Sequence, residues 1–165
     1  RLGARVTGLE PAAGNLAVAR AHSEEAGLAI DYRGETIEAV VAAGESFDAV
    51  LIMEVIEHVA DMPAFVRTAC AAVKPGGMLF GATLNRTMRS FAMAIVGAEY
   101  VLGWLPRGTH DWEKFVTPEE FGRAIRAGGL DVTDTIGVVY NPLTDGWRTS
   151  RDKAVNYMVA SERRA

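Results

Sequence analysis

Phe47-Asp48-Ala49-Val50-Leu51-Ile52-Met53, followed at once by Glu54-Val55-Ile56-Glu57-His58-Val59, is the stretch that decides the fold. The first seven residues form an almost unbroken apolar run of strand length, the pattern of a strand buried on both faces. Downstream, Phe65, Val66, Ala69 and Val73 recur at helical spacing between Asp61 and Val73. Lys74-Pro75-Gly76-Gly77 stops that helix before a further strand over Met78 to Leu84. A strand, a helix and a second strand in this order predict a βαβ unit with parallel strands.

Upstream, the alternation repeats. Arg5-Val6-Thr7-Gly8-Leu9-Glu10 reads as a strand ending in an acid, and Pro11 opens an alanine-rich helix over Ala12 to Gly27. Leu28 to Arg33 gives another strand and Glu35 to Ala43 a weak helical turn or two. Towards the carboxyl end, Thr117-Pro118-Glu119-Glu120 is a helix start: Thr117 as N-cap, Pro118 at the first position, Glu120 closing a capping box. That helix ends at Gly128-Gly129. Strands over Leu130 to Tyr140 and Ala154 to Ser161 follow, with a polar loop from Asn141 to Lys153 between them. The pattern predicts one α/β domain over residues 1–165, a doubly wound, mostly parallel sheet, with an apolar insert at about 88–111.

The chain's 165 residues, 49% of them apolar, are enough to bury one substantial core. Seventeen basic against 21 acidic side chains give a formal charge of −4, which supplies no global positive field for a nucleic-acid backbone. The single cysteine, Cys70, cannot form an internal disulfide and suits a reducing compartment, so a cytoplasmic location is expected. Arg1 to Glu10 lacks the apolar core of a signal peptide. In doubly wound nucleotide-binding domains a glycine-rich turn follows the first strand, and a strand ending in an acid comes only later. Here the acid, Glu10, has no such turn before it. Arg1 to Ala4 therefore reads as the tail of a first helix, with the first strand and its loop expected further upstream. The chain by itself is expected to bind cofactor weakly or not at all.

Three groups of residues carry chemistry. Glu10, at a strand tip, can accept hydrogen bonds from both vicinal hydroxyls of a ribose, a feature equally useful to nicotinamide enzymes; an acid there can also simply cap the next helix. Glu54, Glu57 and His58 follow a buried strand, and if the chain turns into a helix their i, i+3, i+4 spacing puts them on one face. Two carboxylates and an imidazole so placed can share a divalent cation, or can merely fix the strand-to-helix turn. Met53 is either core or a flexible thioether against an adenine face. Beyond them, Met88 to Leu105 is apolar almost all round. It falls short of the roughly 20 residues of a spanning helix, which leaves an interfacial or lid helix, a buried helix or an oligomer contact. Next to it, His110 in Gly108-Thr109-His110-Asp111-Trp112 has a pKa range suited to a general base, and is otherwise a structural loop histidine.

Together these segments resemble the family of ubiquinone-biosynthesis O-methyltransferases, which are class I S-adenosylmethionine-dependent methyltransferases. Val6-Thr7-Gly8-Leu9-Glu10, Met53-Glu54-Val55-Ile56-Glu57-His58-Val59 and Val73-Lys74-Pro75-Gly76-Gly77 are similar to the broad superfamily. Thr83-Leu84-Asn85-Arg86, Gly97-Ala98-Glu99-Tyr100-Val101-Leu102, Leu105-Pro106-Arg107-Gly108-Thr109-His110-Asp111, Tyr140-Asn141-Pro142-Leu143 and Asn156-Tyr157-Met158 are similar to the narrower family. The resemblance implies a Rossmann-like fold with an antiparallel last strand, Glu10 on the cofactor ribose where the family usually carries aspartate, and Met53 by the adenosyl group. It further implies Glu54, Glu57 and His58 as magnesium ligands and a polyprenylated catechol-type phenol as methyl acceptor. The implied setting is the cytoplasmic face of the inner membrane, touched through about Met88 to Asp111, in association with a ubiquinone-biosynthesis complex. Two rival expectations stand beside it: a methyltransferase for a small soluble acceptor, and a non-catalytic lipid-associated module. A nicotinamide oxidoreductase is disfavoured by the Glu-x-x-Glu-His turn and the closing strands.

Overall fold

The computed structural model describes residues 3–92, 111–141 and 145–165, which fall into two compact units, residues 1–45 and 46–165. The first unit holds β1 (Val6–Leu9), α1 (Ala13–Glu25), β2 (Ile30–Arg33) and α2 (Ile37–Ala42). β1 and β2 pair in parallel, with Val6 opposite Ile30 and Leu9 opposite Arg33. Gly8 lets β1 pass close to the Tyr32 ring, where an added Cβ would lie 2.5 Å from ring carbons. The Thr36 hydroxyl caps α2 by accepting from the Ala39 N–H. Gly3, at φ 83°, and Ala4 are not helical; Arg1 and Leu2, the rest of the expected helix tail, lie outside the described residues.

The second unit is built on a five-stranded sheet in the order β3-β4-β7-β5-β6. Its strands are β3 (Phe47–Met53), β4 (Val73–Leu84), β5 (Asp131–Asn141), β6 (Gly146–Ser150) and β7 (Asn156–Glu162). β3 and β4 are parallel, while β7 runs antiparallel to both of its neighbours, β4 and β5. β6 corrects the expected loop over Asn141 to Lys153. Its Gly-Trp-Arg-Thr-Ser sequence is mostly exposed and shows no apolar alternation, but pairing with β5 from Gly137–Ser150 to Asn141–Gly146 makes it a strand. At Gly137 the chain passes so close to the Asp152 carbonyl that an added Cβ would sit 1.8 Å from its oxygen.

Lys74-Pro75-Gly76-Gly77, expected between a helix and a strand over Met78 to Leu84, lies inside β4, which starts at Val73 and whose pairing with β3 shifts between Phe47–Val73 and Ala49–Met78. The extra residues bulge out, with Gly76 at φ 74°.

Two helices cover one side of this sheet. α3 (Met62–Ala71) begins at Asp61, whose carboxylate accepts from the Ala64 N–H at 2.9 Å. α4 (Met88–Ser90) is a single capped turn, and α5 (Pro118–Ala127) begins with the expected Thr117–Glu120 capping box. Val66, Ala69 and Cys70 on α3, and Phe121, Ala124 and Ile125 on α5, recur at i, i+3, i+4 and are buried together with Leu79, Ile52 and Val159 of the sheet. Burial of a side chain such as Phe121 contributes about 1.5–3 kcal/mol, so this apolar layer is the main stabilising element. β3 is an edge strand of the sheet, and only alternate residues, Val50 and Ile52, are buried; Leu51 is 66% exposed. The expectation of burial on both faces is corrected accordingly: α3 and α5 cover one face of the sheet, and the side chains of β3 that point to the other face are exposed.

Candidate active site

In the first unit, Glu10 lies just beyond β1. Its N–H donates to the Arg33 carbonyl at 3.0 Å, which prolongs the pairing with β2, and its carboxylate accepts from the Ala12 N–H at 2.8 Å. The side chain thus helps start α1. This bond uses only part of the acceptor capacity of a carboxylate, so the group remains chemically able to take a hydroxyl.

In the second unit, the chemistry gathers where β3 ends. Ligands of open α/β sheets bind beyond the carboxyl ends of the strands, and Met53, Glu54 and Thr83 all lie at that end of β3 and β4. Met53 is 41% exposed. Glu54 still donates its N–H to the Ala82 carbonyl at 2.9 Å, but its φ of 53° turns the chain out of the strand. A non-glycine residue in this left-handed region is strained, and such strain gathers at functional sites. Residues 55–58 then form a tight turn closed by the His58 N–H on the Val55 carbonyl at 2.9 Å. They do not form a helix, so the predicted i, i+3, i+4 face does not exist.

The turn sorts the three predicted metal ligands differently. Glu57 points inward and is 4% exposed, with the Thr83 hydroxyl donating to its Oε2 at 2.9 Å. Glu54 and Glu57 come together: burial, the Glu57 charge and a hydrogen bond to Glu57 push the Glu54 carboxyl up to about 7. His58 is exposed. Among the described residues no three His, Cys, Asp or Glu side chains converge closely enough to hold a metal ion. The turn replaces the expected helical face, and the acids it brings together are Glu54 and Glu57. His110 and most of the insert at 88–111 lie outside the described residues. No helix among the described residues is long and apolar enough to cross a membrane.

Sequence reasoning gave no role to Thr83 or Arg86, although both stand in a quoted motif. The one available signal was a polar residue ending the apolar run of β4. Arg86 donates to the Glu113 carbonyl at 3.2 Å and forms an ion pair with Glu120. Burial pushes the Glu120 carboxyl upward, but bonds from the Thr117 N–H, Arg86 and the Thr117 hydroxyl outweigh it and leave the group below its ordinary value. Beside this pair is a cavity of about 200 Å³ with an apolar wall of Ile56, Val59, Met62 and Phe115. A larger recess, about 600 Å³ and lined by Arg126, Asp131 and Arg163 among others, lies at the amino ends of β4 and β5. That is the wrong end of the sheet for a ligand, and Arg163 there donates to the Cys70 carbonyl at the end of α3, as arginines near helix C-termini do.

The strand order, the antiparallel β7 and the acid-bearing turn after β3 define the class I S-adenosylmethionine-dependent methyltransferase fold. The crystal structure of magnesium protoporphyrin IX methyltransferase from Synechocystis PCC 6803 with bound SAH superposes with a TM-score of 0.69 at 13% identity, covering 98% of this chain and 68% of that one. Residues 1–81 match the family described as a methyltransferase domain. The chain is 72% identical over 165 residues to the ubiquinone biosynthesis O-methyltransferase of Methylobacterium sp. (strain 4-46), all of this chain and 66% of that relative. It is 57% identical to the enzyme of the same name from Dinoroseobacter shibae, again over all of this chain and 67% of the relative. The chain belongs to the ubiquinone biosynthesis O-methyltransferase family, and it spans about two thirds of the length of these relatives.

Proposed function

We propose that the protein transfers a methyl group from S-adenosylmethionine to a phenolic oxygen of a polyprenylated catechol intermediate of ubiquinone biosynthesis. The observation that carries this reading is the Glu54–Glu57 pair at the carboxyl end of β3, in a chain of this family. Glu10 takes the cofactor ribose and Met53 lies against the adenosyl group. The cofactor supplies an electrophilic methyl; the protein's part is to align the acceptor oxygen with it and to exclude water.

Magnesium is part of the proposal. Two carboxylates held close together, at a cost that a cation would relieve, fit a hard divalent ion that keeps water and substrate oxygens in its other positions. Glu54 and Glu57 would hold it, with His58 as a neighbour rather than a required ligand. When bound, the cation lowers the pKa of a phenol and fixes its position. His110 is the proposed general base. The segment around Met88 to Asp111 is proposed to touch the membrane at its cytoplasmic face, within reach of a polyprenyl chain and of partner enzymes of the pathway; exposed Met88 and Phe91 at its start support that reading.

The test is methyl transfer to a polyprenyl catechol presented in liposomes, followed by mass spectrometry of the product. Methylated product is expected, lost on chelation and restored by magnesium. Undiminished turnover after thorough chelation would remove the metal from the reading, and absence of product under all conditions would remove the activity. Methylation of soluble catechols with no co-sedimentation on liposomes would point instead to a soluble acceptor.

A further inference from the structure

We propose that Thr83 is a positioning residue for the reaction: its hydroxyl anchors Glu57 so that the remaining carboxylate oxygen faces Glu54. The inference rests on the function proposed above and deepens it. Glu57 belongs to a turn, and no regular backbone ladder sets the direction of its side chain. Thr83, in contrast, is locked. It is fully buried in β4, which is paired with β3 on one side and with β7 on the other, opposite Tyr157, itself fully buried.

A β-branched side chain in a central strand has little rotational freedom, so its hydroxyl is a fixed point. The hydroxyl carries one proton, which it donates to Glu57 Oε2 at 2.9 Å across 26 residues of chain. With that oxygen engaged, the carboxylate cannot swing, and its other oxygen is held for the partner acid. Charged groups that hold a cation or a substrate proton depend on such neighbours, whose loss typically costs ten- to a hundredfold.

Three variants test this. Thr83→Val keeps the shape and removes the hydroxyl, Thr83→Ser keeps the hydroxyl and removes a methyl, and Thr83→Cys places a much weaker donor at the same point. Two readouts are needed: kcat and KM for both substrates, and the δ-carboxyl ¹³C resonance of Glu57, assigned with Glu57→Gln. Thr83→Val is expected to lower kcat on the order of tenfold or more with KM for the methyl donor unchanged, and to move the Glu57 resonance. Thr83→Ser is expected to restore both.

If Thr83→Val does not fold, Thr83→Cys decides, with an expected resonance and kcat between those of Ser and a full loss. The proposal is overturned if Thr83→Val, or Thr83→Cys in its place, matches the unaltered protein in the resonance and in kcat. It is also overturned if KM and kcat fall together with no movement of the resonance. The resonance judges Thr83 without any turnover, so a protein that transfers no methyl group would count against the proposed reaction and leave the positioning to be decided by the spectrum.

Discussion

The Tyr157 hydroxyl, buried in β7, donates to the Val116 carbonyl at 2.8 Å and so ties the sheet to the segment that enters α5. The two residues are 41 positions apart. Tyr157 also meets Phe121 edge to face, with ring centroids 6.5 Å apart, and its own ionisation is pushed strongly upward by burial and by the acids around it. It is therefore a donor at every ordinary pH. Tyr157→Phe would keep the ring contact and leave the Val116 carbonyl buried without its partner, at a cost of about 1–3 kcal/mol. Urea unfolding should show the lowered midpoint; an unchanged midpoint would mean that the carbonyl finds another donor.

Glu54 sets a pH dependence of stability. Its carboxyl is raised from 4.5 to about 7 in the folded protein, so the folded state favours its protonated form. The resulting stabilisation is whole below the ordinary value and is lost as pH climbs through about 7. Stability should accordingly decline across that interval in the protein free of metal, and Glu54→Gln should flatten the decline. Denaturation midpoints measured along the interval in chelator check this, with an unaltered slope in the variant as the contrary outcome.

Cys70 should be inert while the protein is folded. It is fully buried on α3, and burial, opposed in part by the Arg163 charge, lifts its thiol to about 11. The thiolate is the reactive species, so both its scarcity and its enclosure slow the reaction. A disulfide reagent is expected to label the native protein only at the pace of unfolding and to label it at once in denaturant. Rapid labelling of the native protein would refute the buried placement.

The parts of this molecule that were legible in the sequence are those governed by neighbours along the chain. The apolar run Phe47–Met53, the Thr117–Glu120 capping box and the i, i+3, i+4 stripe of α3 are local signals, and each element appears where its signal lies. β6 escaped because its only reason to be a strand is the ladder with β5, which no property of Gly-Trp-Arg-Thr-Ser announces. The turn at 55–58 escaped for a different reason. Helical spacing of Glu54, Glu57 and His58 was real, but the positive φ of Glu54 breaks the helix before it starts, and nothing in a glutamate foretells that angle. Thr83 became visible only once the fold brought it to Glu57.

In the second unit, β7 lies between β4 and β5, although the ribosome makes it after both. Its two neighbours therefore emerge during synthesis with a gap where their shared partner belongs, and each carries an unsatisfied row of amides and carbonyls until residues 156–162 arrive. Pairings at such long range close late and slowly. Until then these open edges have to be kept from joining other molecules, and β7 closes both of them at once.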